Sequence, residues 1–361
     1  MHENDFLPGS YSEGKEEGQF TWKSPSNIAL VKYWGKFDPQ LPANPSVSFT
    51  LNNSFTTTSL EFKKKKSKGE DFDFELIFEG SKKEDFKPKI LSFFKRIEEY
   101  IPFLKNYRFT IYTDNTFPHS SGIASSASGM SALALCLMSL EKELDPYISD
   151  ENFIKKASFL ARLGSGSACR SIEEKIVVWG KHEKIKNSSD LYGIKYSLEV
   201  HPVFETYQDT ILLVDKGEKK VSSSLGHNLM HIHPFAAARF EQAHKNINTL
   251  SDIFASGDLE AFIEIVESEA LTLHSLMMSS RPYFILMKPN TLEIINRIWE
   301  FRESTQIPVC FTLDAGANVH VLYPEKDKAE VFEFIKNELI AYCEKGQYIC
   351  DKVGSGAQFV M

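Results

Sequence analysis

Pro118-His-Ser-Ser-Gly-Ile-Ala-Ser-Ser-Ala-Ser-Gly129 runs directly into an apolar stretch in which Met130, Leu133, Ala134, Leu137 and Met138 recur at helical spacing. Small residues let a backbone pass close to a ligand, so that consecutive N–H groups can converge on one anion. The start of a helix adds favourable positive potential at the same place. The stretch therefore reads as a phosphate cradle at the head of a helix, the alternative being a flexible serine-rich connector. Neither common phosphate loop is present: the chain has no Gly-x-x-x-x-Gly-Lys-Ser/Thr, and Gly122 to Gly129 lacks Gly-x-Gly-x-x-Gly spacing. Leu135 and Cys136 are apolar as well, so the helix is expected to be buried nearly all round.

Outward from this point the pattern alternates between strands and helices. Toward the N-terminus, Tyr107 to Thr113 reads as a strand and Pro88 to Tyr100 as a helix. Asp71 to Phe78 alternates, and a basic run, Lys63 to Lys66 with Lys68, precedes it; alternation on both sides predicts a hairpin with a charged, solvated tip. Phe20 to Phe62 reads as short strands with turns at Pro39, Pro42 and Pro45. Residues 1–19 are polar and expected to be mobile. Toward the C-terminus, Ser149-Asp150 opens a helix carried by Phe153, Ile154, Ala157, Leu160 and Ala161, with Gly164 as its C-terminal stop. Ile176 to Trp179 is a strand.

Composition changes near Val203 to Thr210. Beyond it lie strands at Ile211 to Val214, Pro308 to Leu313 and Val319 to Tyr323. Helices are expected at Pro234 to Leu250, Asp258 to Met278, Thr291 to Glu303 and Lys326 to Cys343. The expected organisation is α+β in two domains, residues 20–205 and 206–361, behind the N-terminal segment 1–19.

With 361 residues there is room for two domains and a real core. Apolar residues are 42% and charged residues 25%, as in a water-soluble globular protein. A net charge of −8 argues against a general nucleic-acid binder, while leaving room for a local basic pocket. Five cysteines, widely spaced and without a Cys-x-x-Cys pair, point to a reducing compartment. The longest apolar run, Ala132 to Met138, is far too short to span a bilayer, and the first residues have no apolar signal core, so a cytoplasmic protein without a membrane partner is expected.

Five further segments carry residues suited to chemistry. Leu163-Gly-Ser-Gly-Ser-Ala-Cys-Arg170-Ser171 combines glycines and hydroxyls with an arginine whose fork suits a carboxylate or phosphate; the plain reading is a helix cap and a turn. In Ser26-Asn27-Ile-Ala-Leu-Val-Lys32-Tyr33-Trp34-Gly35-Lys36 a lysine follows an apolar strand, where it must reach a partner or snorkel out. Thr312-Leu-Asp314-Ala-Gly-Ala-Asn318 ends a buried-looking strand on a carboxylate, although Asp-x-Gly is also ordinary turn chemistry. Lys219-Lys220-Val-Ser222-Ser223-Ser224 could close over a diphosphate or be simple loop. His227, His231 and His233 have a spacing that zinc sites use, but no third ligand is evident and Pro234 interrupts the turn, so capping or packed histidines are expected.

Taken together, these segments resemble the diphosphomevalonate decarboxylase family, of the GHMP kinase superfamily that includes galactokinase, homoserine kinase and mevalonate kinase. Asn27 to Lys36, Gly122 to Gly129, Gly164 to Ser171 and Asp314 to Asn318 match the family's signatures in order. The small-residue loop is shared across the superfamily, whereas the Lys-Tyr-Trp-Gly-Lys and Gly-Ser-Gly-Ser-Ala-Cys-Arg segments are specific to the decarboxylases.

The resemblance implies a two-domain GHMP-kinase-like fold, with an N-terminal domain like ribosomal protein S5 domain 2, a ferredoxin-like C-terminal domain, and the site in the cleft between them. It implies ATP and Mg2+, mevalonate 5-diphosphate as substrate, decarboxylation to isopentenyl diphosphate, and a homodimer. Asp314 takes the role of acting on the C3 hydroxyl, and Lys32 and Arg170 support the reacting carboxylate and neighbouring charge. Asn27, Tyr33, Lys36, Ser165 and Ser167 fall on substrate positions. Asn115, Ser120, Ser121, Gly122, Ser125, Ser126, Ala127, Ser128 and Gly129 fall on the nucleotide site, and Ser222 and Ser223 on the loop that closes near the phosphates. The resemblance assigns no metal ligands.

Three departures stand out. Glu173-Glu174-Lys175 occupies the region where the family has a Gly-Gly pair, Ala317 stands where proline is usual, and Ser224 stands where some bacterial relatives carry arginine. The competing readings are a kinase of the same superfamily that phosphorylates a small alcohol without decarboxylation, and a catalytically silent nucleotide-binding homologue. Arg170 together with Asp314 favours the decarboxylase, because a simple kinase needs no carboxylate clamp.

Overall fold

A computed structural model describes residues 1–361 except 13, 67, 68, 70, 119–122, 216 and 218–222, and the side chains of 223 and 224. Along the chain, the first half contains β1 (Glu17–Val31), β2 (Lys36–Phe37), β3 (Leu41–Pro42), β4 (Ser46–Lys64), β5 (Asp73–Phe78) and β6 (Ser81–Lys82). There follow α1 (Lys87–Ile97), β7 (Tyr107–Asn115), α2 (Ser125–Leu144), α3 (Asp150–Gly164), β8 (Ile176–Trp179) and β9 (Ile194–Lys195). The second half contains β10 (Gln208–Leu212), α4 (Ser223–Leu229), α5 (Ala236–Ser256), α6 (Leu259–Ser279), α7 (Pro289–Thr305), β11 (Cys310–Leu313), β12 (Val319–Tyr323), α8 (Lys328–Phe334), β13 (Tyr348–Lys352) and β14 (Gln358–Phe359).

Among the described residues, eight strands form one sheet in the order β14-β1-β4-β7-β5-β6, with β8 added to β4 and β9 to β8. Four form a second, antiparallel sheet in the order β11-β12-β10-β13. This is the expected α+β class. The chain's end crosses back, because β14 pairs Phe359 with Trp22 and Gln358 with Lys23 on β1.

The long strands reflect two sheet surfaces. β4 pairs with β1 along one edge and with two strands in turn along the other: Ser46 to Phe49 with β8, and Thr56 to Lys64 with β7. The short strands expected between Phe20 and Phe62 are therefore two long ones, bent by register shifts in the β1–β4 ladder between Pro25 and Asn27 and between Ala29 and Val31. Such bulges re-aim side chains, and here they flank Asn27 and precede Lys32.

The expected hairpin around the lysine run does not form. β4 pairs with β7, and β5 lies beyond β7 and parallel to it, so β5-α1-β7 is a crossover unit. Alternation showed that both segments are strands but carried nothing about which strand lies beside which.

Burial explains the helices. α2 presents Leu133 to Leu140 with every residue buried, and it packs with α1 and α3 on the larger sheet in a core that includes Phe93, Phe94, Phe109 and Phe159. Ser149 caps α3 by accepting the Asn152 N–H, with Asp150 and Glu151 in the first turn and Arg162 in the last. Gly164 is the last helical residue rather than a left-handed stop. A Cβ there would lie 2.8 Å from Met130 Sδ and 3.0 Å from Phe93, so the glycine serves close packing.

Residues 1–19, expected to be mobile, are instead held at several points: Phe6 is buried and stacks on Phe159 at 4.3 Å between centroids, Tyr11 donates to Glu141 Oε1 (2.7 Å), the Ser12 N–H donates to the Leu144 carbonyl (2.8 Å), and β1 begins at Glu17. The helix expected over Lys326 to Cys343 is α8 followed by a π turn at Ile335–Leu339 and a 3-10 turn, because Leu339 and Ile335 both turn toward the core. No described helix is long and apolar enough to cross a membrane.

Candidate active site

β1 ends where the two sheets meet. Lys32, one residue past the strand, is buried with its ammonium directed back to the Ala29 carbonyl. Burial pushes Lys32 down to about 8, while the charges of Asp314 and Glu269 oppose that fall. Asp314 follows β11 and is half-buried. Its carbonyl accepts from His274 Nε2 (3.1 Å) and from the Gly316 N–H (2.7 Å), which fixes the turn carrying the carboxylate. The Asp314 charge acts on Lys32, Arg170 and His227 alike, so segments nearly 300 residues apart in sequence converge here.

Arg170 lies in the 3-10 turn Gly166–Ser171, buried. Its Nη1 donates to Ser46 Oγ (2.6 Å) and its Nε to Asn27 Oδ1 (3.3 Å), and the guanidinium stands 5.8 Å over the Trp179 ring. Asn27 is itself held by Nδ2 donating to Ser171 Oγ (2.8 Å) and to the Ser167 carbonyl (3.3 Å). Three elements therefore orient one guanidinium, whose rigid fork suits a planar carboxylate.

Tyr33 packs between Trp179 (4.6 Å) and His227 (4.2 Å). Its hydroxyl is buried and has no hydrogen-bond partner among the described residues, and burial raises its pKa. A Cβ on Gly166 would stand 2.8 Å from that hydroxyl, so the glycine is what admits it. A buried hydroxyl without a partner costs about 1–3 kcal/mol unless something else fills that role, which fits an oxygen-rich ligand. Lys36 donates from Nζ to Gln40 Oε1 (2.9 Å); burial and Arg96 lower its pKa. Lys36 and Arg170 both act on His227 and Arg170 acts on Lys32, so these three cations lie near one another in an acidic chain.

The small-residue segment touches the segment that carries Arg170. Ala124 adopts φ +42° at the head of α2, and Ser126 Oγ lies 3.2 Å from Ser165 Oγ, joining the two glycine- and serine-rich segments. Ser125, Ser126, Gly129 and Asn115 line a cavity of about 150 Å³ whose walls also include Phe78, Ile90 and Met130. A Cβ on Gly129 would meet nothing within 4 Å, so this glycine leaves cavity space. Asn115 Oδ1 accepts from Thr56 Oγ1 (2.6 Å). Ala127 and Ser128 lie on the inner side: both are buried, and the Ser128 hydroxyl bonds to Thr56 Oγ1 (2.6 Å), which supports the helix start. Ser120, Ser121, Gly122, Lys219, Lys220 and Ser222 fall outside the described residues; Ser223 opens α4.

Several residues were not visible as site residues from the sequence. Glu269 and Arg239 hold the Lys32 main chain, Asn44 Nδ2 donates to the Lys32 carbonyl (2.9 Å), Ser46 anchors Arg170 and His274 anchors the Asp314 turn. Glu269 had a signal: it sits on the apolar stripe Phe262, Val266, Ala270, Leu273 of its helix, where a carboxylate needs a reason. His227 is a packed histidine. Its Nδ1 accepts the Gly35 N–H (3.0 Å), its ring lies on Tyr33 and Trp34, and burial holds it down at about 3, hence neutral. His233 is buried against the Leu276 carbonyl and His231 is exposed. Lys175, where the resemblance expects glycine nearby, takes φ +57° and keeps the turn with its N–H to Gly354 (3.0 Å) and its carbonyl to Thr50 (2.8 Å).

Comparison with known proteins covers most of the chain. Residues 24–190 match the family model of the diphosphomevalonate decarboxylase-like N-terminal domain, and residues 210–356 that of the mevalonate 5-diphosphate decarboxylase C-terminal domain. The diphosphomevalonate decarboxylase of Debaryomyces hansenii is 27% identical over 330 residues, which are 86% of this chain and 81% of that protein. A solved complex with MVAPP, AMPPCP and magnesium superposes with a TM-score of 0.81 at 27% identity, covering 95% of this chain and 99% of the other. The mevalonate diphosphate decarboxylase of Enterococcus faecalis gives 0.79 at 25% identity, with 95% and 99% covered.

Proposed function

The chain belongs to the diphosphomevalonate decarboxylase family, and from that premise we propose that it converts (R)-mevalonate 5-diphosphate and ATP to isopentenyl diphosphate, ADP, phosphate and CO2. The observation that supports the residue assignments is that Asp314, Lys32 and Arg170 lie close enough to act on one another's charge, with the Arg170 segment joined through Ser165 and Ser126 to the head of α2.

We assign the nucleoside part of ATP to the cavity lined by Asn115, Ser125, Ser126 and Gly129. The base and ribose would occupy the space left by Gly129, beside Asn115, with the phosphates at the first turn of α2 near Ser125 and Ser126. Ser120, Ser121, Gly122, Ser222 and Ser223 complete the proposed phosphate site by resemblance, with Ala127 and Ser128 supporting it from beneath. Among the described residues there is no cluster of three metal-ligating side chains. That fits Mg2+ held by nucleotide phosphate oxygens and water, where it neutralises phosphate charge. Tyr33, Lys36, Ser165 and Ser167 would take the substrate's diphosphate, Tyr33 through its unpartnered hydroxyl.

A tertiary alcohol is a weak nucleophile. Asp314 orients the C3 hydroxyl and takes its proton as the oxygen attacks the γ-phosphorus and the bond to the ADP oxygen breaks. Lys32, buried and cationic below about pH 8, balances negative charge beside Asp314. The C3–O bond then breaks with phosphate leaving. The bond between the carboxylate carbon and C2 breaks too, releasing CO2, and its electron pair forms the C2=C3 double bond. Arg170, fixed by Ser46, Asn27 and Trp179, holds the carboxylate in line for that departure.

A homodimer and a cytoplasmic location complete the proposal, on resemblance alone. The function is tested by offering mevalonate, mevalonate 5-phosphate and mevalonate 5-diphosphate with MgATP and identifying products by mass. Isopentenyl diphosphate from the diphosphate is expected. A phosphorylated alcohol without alkene would make the protein a kinase.

A further inference from the structure

β1 ends at Val31, and the ladder with β4 shifts register just before it. The peptide groups of Lys32 therefore need partners outside the sheet. They find them on two helices from the second half of the chain. The Lys32 N–H donates to Glu269 Oε2 on α6 (2.9 Å), and the Lys32 carbonyl accepts from Arg239 Nη2 on α5 (2.8 Å) as well as from Asn44 Nδ2 (2.9 Å), one lone pair each. Glu269 and Arg239 form a double-pronged ion pair, Nη1 to Oε1 at 2.8 Å and Nη2 to Oε2 at 2.6 Å, with side-chain exposures of 0% and 1%. Asn246 Nδ2 donates to Glu269 Oε1 (2.5 Å), and Gln242 Oε1 accepts from Arg239 Nη1 (3.1 Å).

An ion pair this deep is a poor way to hold two helices together. Well-packed apolar residues do that as well or better, because desolvating both charges offsets most of their attraction. What apolar residues cannot do is hydrogen-bond both peptide groups flanking one Cα. Those two groups fix the direction in which the Lys32 side chain leaves the chain. We propose that Glu269 and Arg239 are positioning residues for Lys32, a buried fork that carries the seating of the second sheet's helices into the placement of the ammonium in the cleft. The inference rests on the assignment of Lys32 in the proposed function.

Charge follows the same geometry. The groups that act on Lys32 are Asp314 after β11, Glu269 on α6, Arg239 on α5, Arg170 in the 3-10 turn and Asp209 on β10. Asp314 and Glu269 both favour the ammonium and the two arginines disfavour it, so losing the Glu269 charge lowers the pH at which Lys32 gives up its proton.

The test uses the full chain with MgATP and mevalonate 5-diphosphate. In the Glu269→Leu, Arg239→Met double variant, which removes both charges together, kcat is expected to fall roughly ten- to hundredfold with the KM for ATP unchanged. In Glu269→Gln, the alkaline limb of kcat/KM is expected to move to lower pH by about one unit. Arg239→Lys, which keeps a cationic donor for the carbonyl, is expected to recover part of the activity. A double variant with normal kcat overturns the proposal, as does a Glu269→Gln enzyme whose alkaline limb stays in place; the latter decides the matter if the double variant does not fold. Lys32→Met separates the two levels: normal turnover in that variant refutes the Lys32 assignment itself, while its inactivity beside normal fork variants refutes the fork alone.

Discussion

Replacing Lys32 by methionine should make this protein more stable and less active. The ammonium is buried, and its pKa falls from 10.5 to about 8 on folding. That fall corresponds to roughly 3 kcal/mol of stability forfeited at neutral pH. The sign follows from proton counts. Between about pH 8 and 10.5 the unfolded chain keeps the Lys32 proton and the native chain has released it, so native stability rises with pH across that window. Below about pH 8 the whole penalty is present.

Methionine has nearly the same length and no charge, so it removes the penalty. It also removes the hydrogen bond to the Ala29 carbonyl, about 1 kcal/mol, and a counter-charge for Asp314 and Glu269. A net gain of about 1–3 kcal/mol is expected at pH 7, a few degrees in Tm for a chain of this size. Thermal or urea unfolding of both proteins at pH 7 and pH 10 checks it. The variant should be the more stable at pH 7, and its advantage should shrink by pH 10. A variant that is less stable at pH 7, or whose difference from the parent ignores pH, would refute the reasoning that Lys32 is held in place against its own solvation.

Asp314→Asn should reduce turnover by several orders of magnitude with ATP affinity intact, measured by steady-state kinetics and nucleotide titration; near-normal kcat removes Asp314 as the base. Gly129→Ala should raise stability by about 0.5–1 kcal/mol, because glycine is costly inside a helix and a Cβ there meets nothing within 4 Å. The same Cβ narrows the cavity, so KM for ATP should rise; an unchanged KM would move the nucleotide elsewhere. Lys175→Gly should stabilise the protein by up to about 1 kcal/mol in urea unfolding, since φ +57° suits glycine and the lost ion pair to Glu205 is exposed. A clear loss of stability would show that the turn does not need a left-handed residue.

What could be read from the sequence was local. α2 and α3 were legible because apolar residues recur at helical spacing, at Met130, Leu133, Ala134, Leu137 and Met138 in one and at Phe153, Ile154, Ala157, Leu160 and Ala161 in the other, and because Ser149 is a helix cap. The site segments were legible because their residue types are unusual together: an arginine among glycines and serines, a lysine after an apolar strand. Strand partners were not. The alternation of Asp71 to Phe78 is the same whether the neighbour is β4 or β7, and only the crossover through α1 places β7 between them. Gly164 looked like a stop because helix-ending glycines usually are, yet here Met130 and Phe93 require the missing Cβ. The Glu269–Arg239 fork stayed hidden because its target is a main-chain group some 200 residues away, and main-chain groups leave no mark on a sequence.

If Asp314 and Arg170 act on one bound substrate, phosphoryl transfer and loss of the carboxylate are coupled. The most direct measurement is ADP and CO2 followed together in one reaction with MgATP and mevalonate 5-diphosphate. Equal yields of the two, rising in step, are predicted. ADP without CO2 would show that the protein phosphorylates its substrate without decarboxylating it.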